Sequence, residues 1–237
     1  MTSPRFFVVA RVVGRDGALP IWKERLVHLC SVSATERYGD SYYWGADLDG
    51  EPDTLWGLEG YTHPLGFFID HVSSDIFKRE MALVDSDSLL RTQQGLTSPD
   101  YDLHHYDEET STPGSFLKRW DDAERDGTTS HVAVVHLWAT DSVKRAAVLA
   151  RLAEYAAVAK KAPLDDTNGL QSAVVLRELK DNTLATLWVR TRTRAAFDAE
   201  NAAGGSLAAL LVGLKPLVAK TELHQSTSFQ GHIGISL

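Results

Sequence analysis

The order of apolar runs and turns in the first half of the chain returns in the second, and this repetition restricts the fold more than any single motif. The stretch "FFVVARVVGRD" (6–16) matches "HVAVVHLWATD" (131–141) in character, a β-rich apolar run that ends on an aspartate. Set without a gap over "LATLWVRTRTRAAFDAE" (184–200), "LWGLEGYTHPLGFFIDH" (55–71) pairs Leu55 with Leu184, Leu58 with Leu187 and Phe68 with Phe197. Near the end of each half "DLHH" (102–105) echoes "ELHQ" (222–225), which aligns His104 with His224.

Each half reads as one unit of the same kind. In the first, Phe6–Val13 is a strand closed by "GRDG", and Pro20 opens a helix whose Trp22, Leu26 and Leu29 recur on one face. "SYYWGAD" is strand-like, "DGEPD" turns into the strand "TLWGLEGY", Pro64 opens a second helix, and "YDLHHYDE" is a fourth strand. In the second half a long helix carries Val148, Leu152, Tyr155 and Ala159 on one face and stops at Pro163 and Asn168-Gly169, ahead of a hairpin around Asp181-Asn182. The order β-α-β-β-α-β is the ferredoxin-like split motif. Such a sheet has helices on one face and must bury the other, so two fused copies are expected to close an intramolecular dimeric α/β barrel. The expected fold class is α+β, with a first repeat over 1–110, an acidic linker over 111–130 and a second repeat over 131–237. Within the linker "SFLKRWDDAERDG" reads as a short helix.

The net charge of −8 argues against nucleic acid or an anionic membrane as partner. Residues 96–130 alone hold nine acidic and three basic side chains, so the acidity belongs to one segment and says little about substrate. Cys30 is the single cysteine, which rules out an internal disulfide and a cysteine-based zinc site. The start "MTSPRFFVVARVV" lacks a signal pattern and no apolar window is long enough to span a bilayer. A cytoplasmic protein is the expectation.

Glu59-Gly-Tyr61, then Phe68-Ile-Asp-His71 and Ser73-Ser74, following a β-rich start, a helix and a hairpin, resembles the antibiotic biosynthesis monooxygenase family of dimeric α+β barrels. The resemblance covers most of both halves in layout and keeps its motif in the first. In the ungapped alignment Trp188, Arg190 and Glu200 stand at the positions of Glu59, Tyr61 and His71. The resemblance implies a pocket between sheet and helices for a bulky aromatic compound, such as a polyketide phenol or anthrone, oxidised by O2 with no metal, flavin or haem. The same scaffold also hosts haem-degrading enzymes, isomerases, cyclases and lyases, so fold alone does not select the reaction.

Dioxygen is a triplet and reacts slowly with closed-shell molecules, so a cofactor-independent oxygenase must first make its substrate a carbanion or phenolate. That needs a base, an apolar pocket and donors for the developing oxyanion. His71 is the candidate base. It lies three residues after Phe68, so on a helix the two share a side, unless His71 is a core histidine bonded to a carbonyl or to Glu59. Glu59 would orient it or share its proton. Strand alternation puts Leu55, Gly57, Glu59 and Tyr61 on one face and Thr54, Trp56, Leu58 and Gly60 on the other, and composition does not say which is inside. Tyr42, Trp44, Trp56, Tyr61, Phe68 and His104 are the candidate substrate-binding residues, each with an ordinary core role as its alternative. A metal site from His71, His104 and Glu59 lacks any close-spaced ligand motif and is not expected. Arg190, Arg192 and Arg194 in "RTRTR" share a strand face and read as solvated, with an anionic ligand as the alternative. The expected partners are an aromatic small molecule and O2, with a homodimer of the tandem chain compatible with the fold. A non-oxidative cyclase, lyase or isomerase, or a non-catalytic small-molecule binding protein, is the competing reading.

Overall fold

The computed structural model describes residues 4–234 of the chain. Two compact units divide it, one running to His105 and resuming at Ser226, the other spanning Tyr106–Gln225. The strands β1 (Phe6–Val13), β2 (Gly39–Asp47), β3 (Thr54–Tyr61), β4 (Tyr101–Glu108), β5 (His131–Ala139), β6 (Ser172–Glu178), β7 (Leu184–Thr191) and β8 (Val218–His232) are hydrogen-bonded in the cyclic order β1-β3-β2-β8-β5-β7-β6-β4, that of a closed eight-stranded barrel. Two strands, β4 (Tyr101–Glu108) and β8 (Val218–His232), pass from one unit into the other.

The first unit contains β1 (Phe6–Val13), α1 (Leu19–Ser33), β2 (Gly39–Asp47), β3 (Thr54–Tyr61), a π-helical turn (Gly66–His71) and α2 (Asp75–Ser86). β3 is central and antiparallel to both neighbours, with Glu59 opposite Val8 on one side and Tyr42 on the other. Ala10, Val12, Tyr42, Trp44 and Leu55 pack with Trp22, Leu26 and Leu29 of α1, so this is the helix-covered face. The two-residue period places Gly57, Glu59 and Tyr61 on it as well. Trp56 and Leu58 lie on the opposite face. The sequence expectation of one helix from Pro64 is corrected: a π-helical turn comes first, and α2 starts afresh where Ser74 Oγ accepts from the Phe77 N–H at 3.1 Å.

The second unit contains β5 (His131–Ala139), α3 (Ser142–Ala159), β6 (Ser172–Glu178), β7 (Leu184–Thr191), α4 (Arg194–Asn201) and α5 (Ser206–Leu214). Ala133, Val135, Leu137, Ala185, Leu187 and Val189 pack against Val148, Leu149 and Leu152 of α3. The "AAGGS" stretch separates α4 from α5, with Gly204 at φ +92°. Pairing exposes an error in the ungapped alignment. Val189 lies opposite Ala133 as Glu59 lies opposite Val8, whereas Trp188 is on the other face. A slip of one residue exchanges the two faces of a strand.

Residues 111–130 carry no regular helix or strand, and "SFLKRWDDAERDG" forms turns in place of the expected helix. The segment is bound to the second unit. Phe116 and Ala173 exchange backbone hydrogen bonds of 2.8 and 2.9 Å. Asp122, fully buried, accepts from Arg192 at 2.8 Å and from Gln171 at 2.9 Å. Burial opposes its charge, yet these donors hold its carboxyl below the usual range. Arg119 donates to the Ala159 and Ala162 carbonyls at the end of α3. Arg190, expected in solvent, is fully buried and donates to the Arg125 and Gly127 carbonyls, while Arg194 is the exposed one of the three.

Candidate active site

A cavity of about 90 Å3 lies in the first unit between the helix-covered sheet face and the helices. It is roomy enough for several water molecules. The sheet supplies Val8, Ala10, Val12, Tyr42, Trp44 and Glu59, and α1 supplies Trp22, Leu26 and Leu29. Phe67, Phe77, Met81, Leu96, Tyr101 and Leu103 complete it. Leu96 and Leu103 are 63% and 39% exposed and mark its mouth. Gly57 makes room for the wall: a Cβ there would meet the Trp44 indole at 2.6 Å, so only glycine lets the ring lie across β3.

Among the described lining residues Glu59 is the one carboxylic acid, and no base accompanies it. Tyr61 donates its hydroxyl to Glu59 at 2.9 Å. Burial pushes the Glu59 carboxyl above its usual range, and the nearby His71 charge and the Tyr61 bond offset only part of this. His71 sits immediately behind the lining, 1% exposed, with its ring 5.6 Å from Tyr42, 6.1 Å from Tyr61 and 5.2 Å from Phe77. Its Nδ1 bonds the Glu36 carboxylate at 2.9 and 3.1 Å. Its Nε2 is buried with no hydrogen-bond partner among the described residues. Burial works against a charged imidazole here, but the Glu36 bond and the charges of Glu59 and Glu36 outweigh it and raise the ring's pKa.

The expected site residues therefore divide. Tyr42, Trp44 and Glu59 line the cavity, Tyr61 reaches it through Glu59, and His71 stands behind it. Trp56, Phe68 and His104 do not line it. Trp56 is on the other sheet face, where its indole N–H donates to Asp47 at 2.9 Å. Phe68 is half exposed and stacks on His105 at 5.6 Å, and His104 lies within 3.5 Å of Asp102. The wider turn of a π-helix explains the Phe68 error: residues four apart come round to one side, so Phe67 follows His71 inward. The expected bond between His71 and Glu59 is replaced by one to Glu36. Sequence reading missed Glu36 because 35 residues and a strand pair separate it from His71, and nothing local marks it.

No group of three or more His, Cys, Asp or Glu side chains among the described residues could hold a metal ion. No described helix is long and apolar enough to cross a membrane. In the second unit Val189 faces α3 where β3 carries Glu59, and Glu200 is bonded to Tyr155 at 3.2 Å and to Ser206.

The fold is that of a group of solved chains matched along nearly their whole length. A candidate monooxygenase from Fusobacterium nucleatum subsp. nucleatum superposes with a TM-score of 0.73 at 9% identity, covering 98% of this chain and 96% of that one. An anthrone oxidase-like protein gives 0.66 at 11% identity over 97% of this chain and 93% of its own. A candidate monooxygenase from Lactobacillus acidophilus gives 0.67 at 8% identity over 98% of this chain and 100% of its own. At these identities the likeness is one of fold. No protein-family profile matches the sequence. No curated protein matches it significantly.

Proposed function

We propose that the chain is an enzyme, a cofactor-independent oxygenase built as two fused ferredoxin-like repeats of the antibiotic biosynthesis monooxygenase type. Its substrate is an aromatic, polyketide-like small molecule held in the cavity of the first unit. The observation that carries this reading is an apolar cavity with a single carboxylic acid in its wall and a buried histidine directly behind it. The three neighbours named for monooxygenase or anthrone oxidase chemistry are consistent with it.

The geometry favours exchanging the roles expected from sequence. Glu59 faces the cavity, so it takes the proton from the activated CH2 or phenol, and His71, as imidazolium, offsets the charge of Glu59. The carbanion gives one electron to O2, and the resulting radical pair combines to a peroxide at that carbon. Loss of water leaves a carbonyl, so one oxygen atom enters the product, the other leaves as water, and the CH2 carbon supplies all four electrons that reduce O2. Trp44 and Phe77 flank the ring, and the flexible Met81 and Leu96 yield to admit a tricyclic compound.

The test is incubation with anthrones and tricyclic phenols in air and under strict exclusion of O2, with 18O2 followed into product. Turnover that needs O2, labels the new carbonyl and is lost in Glu59→Gln supports the reading. Equal turnover without O2 assigns the site to a cyclase, lyase or isomerase. Tight binding with no turnover makes it a binding protein.

A further inference from the structure

The Glu36–His71 bond joins a loop after α1 to the end of the π-helical turn, and no local sequence pattern brings the two together. Both side chains are buried, at 8% and 1% exposure. Surface ion pairs are common and weak, but a carboxylate taken out of water beside an imidazole persists only where the pairing is maintained. The bond has a geometric consequence. Nδ1 and Nε2 lie on opposite sides of the ring, so tying Nδ1 to Glu36 leaves Nε2 pointing away from that carboxylate, and Nε2 has no other partner among the described residues. We propose that Glu36 is a positioning residue of the site: it fixes the orientation of the His71 ring and supplies the negative charge that keeps a proton on it, and the imidazolium in turn governs the ionisation of Glu59 at the cavity wall. The inference rests on the function proposed above only for its effect on turnover.

The titratable groups facing His71 are Glu36 after α1, Tyr42 on β2, and Glu59 and Tyr61 on β3, while α2 presents Phe77. Burial raises both phenols well above their ordinary range, so they stay neutral and the set reduces to two carboxylates around one imidazole. Removing the charge of Glu36 releases the proton from His71 at lower pH. Glu59 then loses its counter-charge and titrates higher, because the influence of His71 on it exceeds that of Glu36.

The experiment is an NMR titration of the His71 ring nitrogens and the Glu59 carboxyl in the full chain, without substrate, for wild type and Glu36→Gln. His71 is expected to move down and Glu59 up in the variant; if either stays in place the proposal is overturned. Wild type alone gives an independent reading should the variant not fold. His71 is expected to carry a proton on Nδ1 at pH 7, and a ring found there as the neutral Nε2–H tautomer overturns the proposal. Turnover is then read separately. Glu36→Gln is expected to lower kcat by about tenfold or more with little change in KM and to shift the alkaline limb of the pH profile downward. A chain with no turnover at all removes the proposed function, while the titration still decides the role of Glu36.

Discussion

Glu59 and His71 are legible in the sequence as an acid and a base near aromatic residues, but their roles follow from which of them meets the cavity. Replacing Glu59 by Gln keeps its size and the Tyr61 contact while removing the proton acceptor. Loss of a general base costs about 100-fold or more in kcat, so Glu59→Gln is expected to fall at least that far with an unchanged circular dichroism spectrum. Because burial raises the Glu59 carboxyl, the rate should climb with pH at a higher value than an ordinary glutamate would give. For His71 the pH dependence to expect is one of stability. Its pKa is raised in the folded chain, so the native state binds the proton more tightly than the unfolded one. The stabilisation is complete below the unfolded value of about 6.5 and is lost as pH rises through the higher folded value. Urea unfolding between pH 6 and 9 should show wild type losing stability with pH more steeply than His71→Asn.

At the level of elements, the site depends on two local departures from regular structure. The first is Gly57, opposite Trp44 in the β3–β2 pairing. Gly57→Ala forces a methyl into the indole and is expected to destabilise the chain by about 1–3 kcal/mol, measured as a lower urea midpoint. The indole would leave the cavity wall, so ligand affinity should fall in the same variant. The second is the π-helical turn, which brings Phe67 into the cavity and leaves Phe68 half exposed. Phe67→Ala should weaken ligand binding, whereas Phe68→Ala should leave it nearly unchanged. Opposite results would place the ligand on the outer side of the turn. The sequence could not distinguish the two phenylalanines because they stand four and three residues before His71, and a regular helix puts both on its side.

For the whole molecule, the acidic segment 111–130 illustrates how composition misleads about organisation. Its charge suggests a solvated connection, yet Asp122 is fully buried among Arg192 and Gln171, and Arg190 holds the carbonyls of 125 and 127. Asp122→Ala takes this acceptor from Arg192 and Gln171 and is expected to cost about 2–4 kcal/mol. Limited proteolysis should leave the segment intact in wild type and cut it in the variant; cleavage of both at equal rates would return it to the status of a linker. By itself the sequence determined the strands at 6–13, 54–61 and 101–108, the apolar face of α1, and the presence of an ionisable pair near an aromatic cluster. These are local properties, written in periodicity and turn residues within about twenty positions of one another. Only the tertiary structure decided which face of β3 is covered by helices, that Glu36 and not Glu59 bonds His71, that Trp56, Phe68 and His104 stand away from the cavity, and that the acidic segment packs on the second unit. A strand's two faces differ by one residue of register, and a buried charge finds its partner across loops whose path no local pattern encodes.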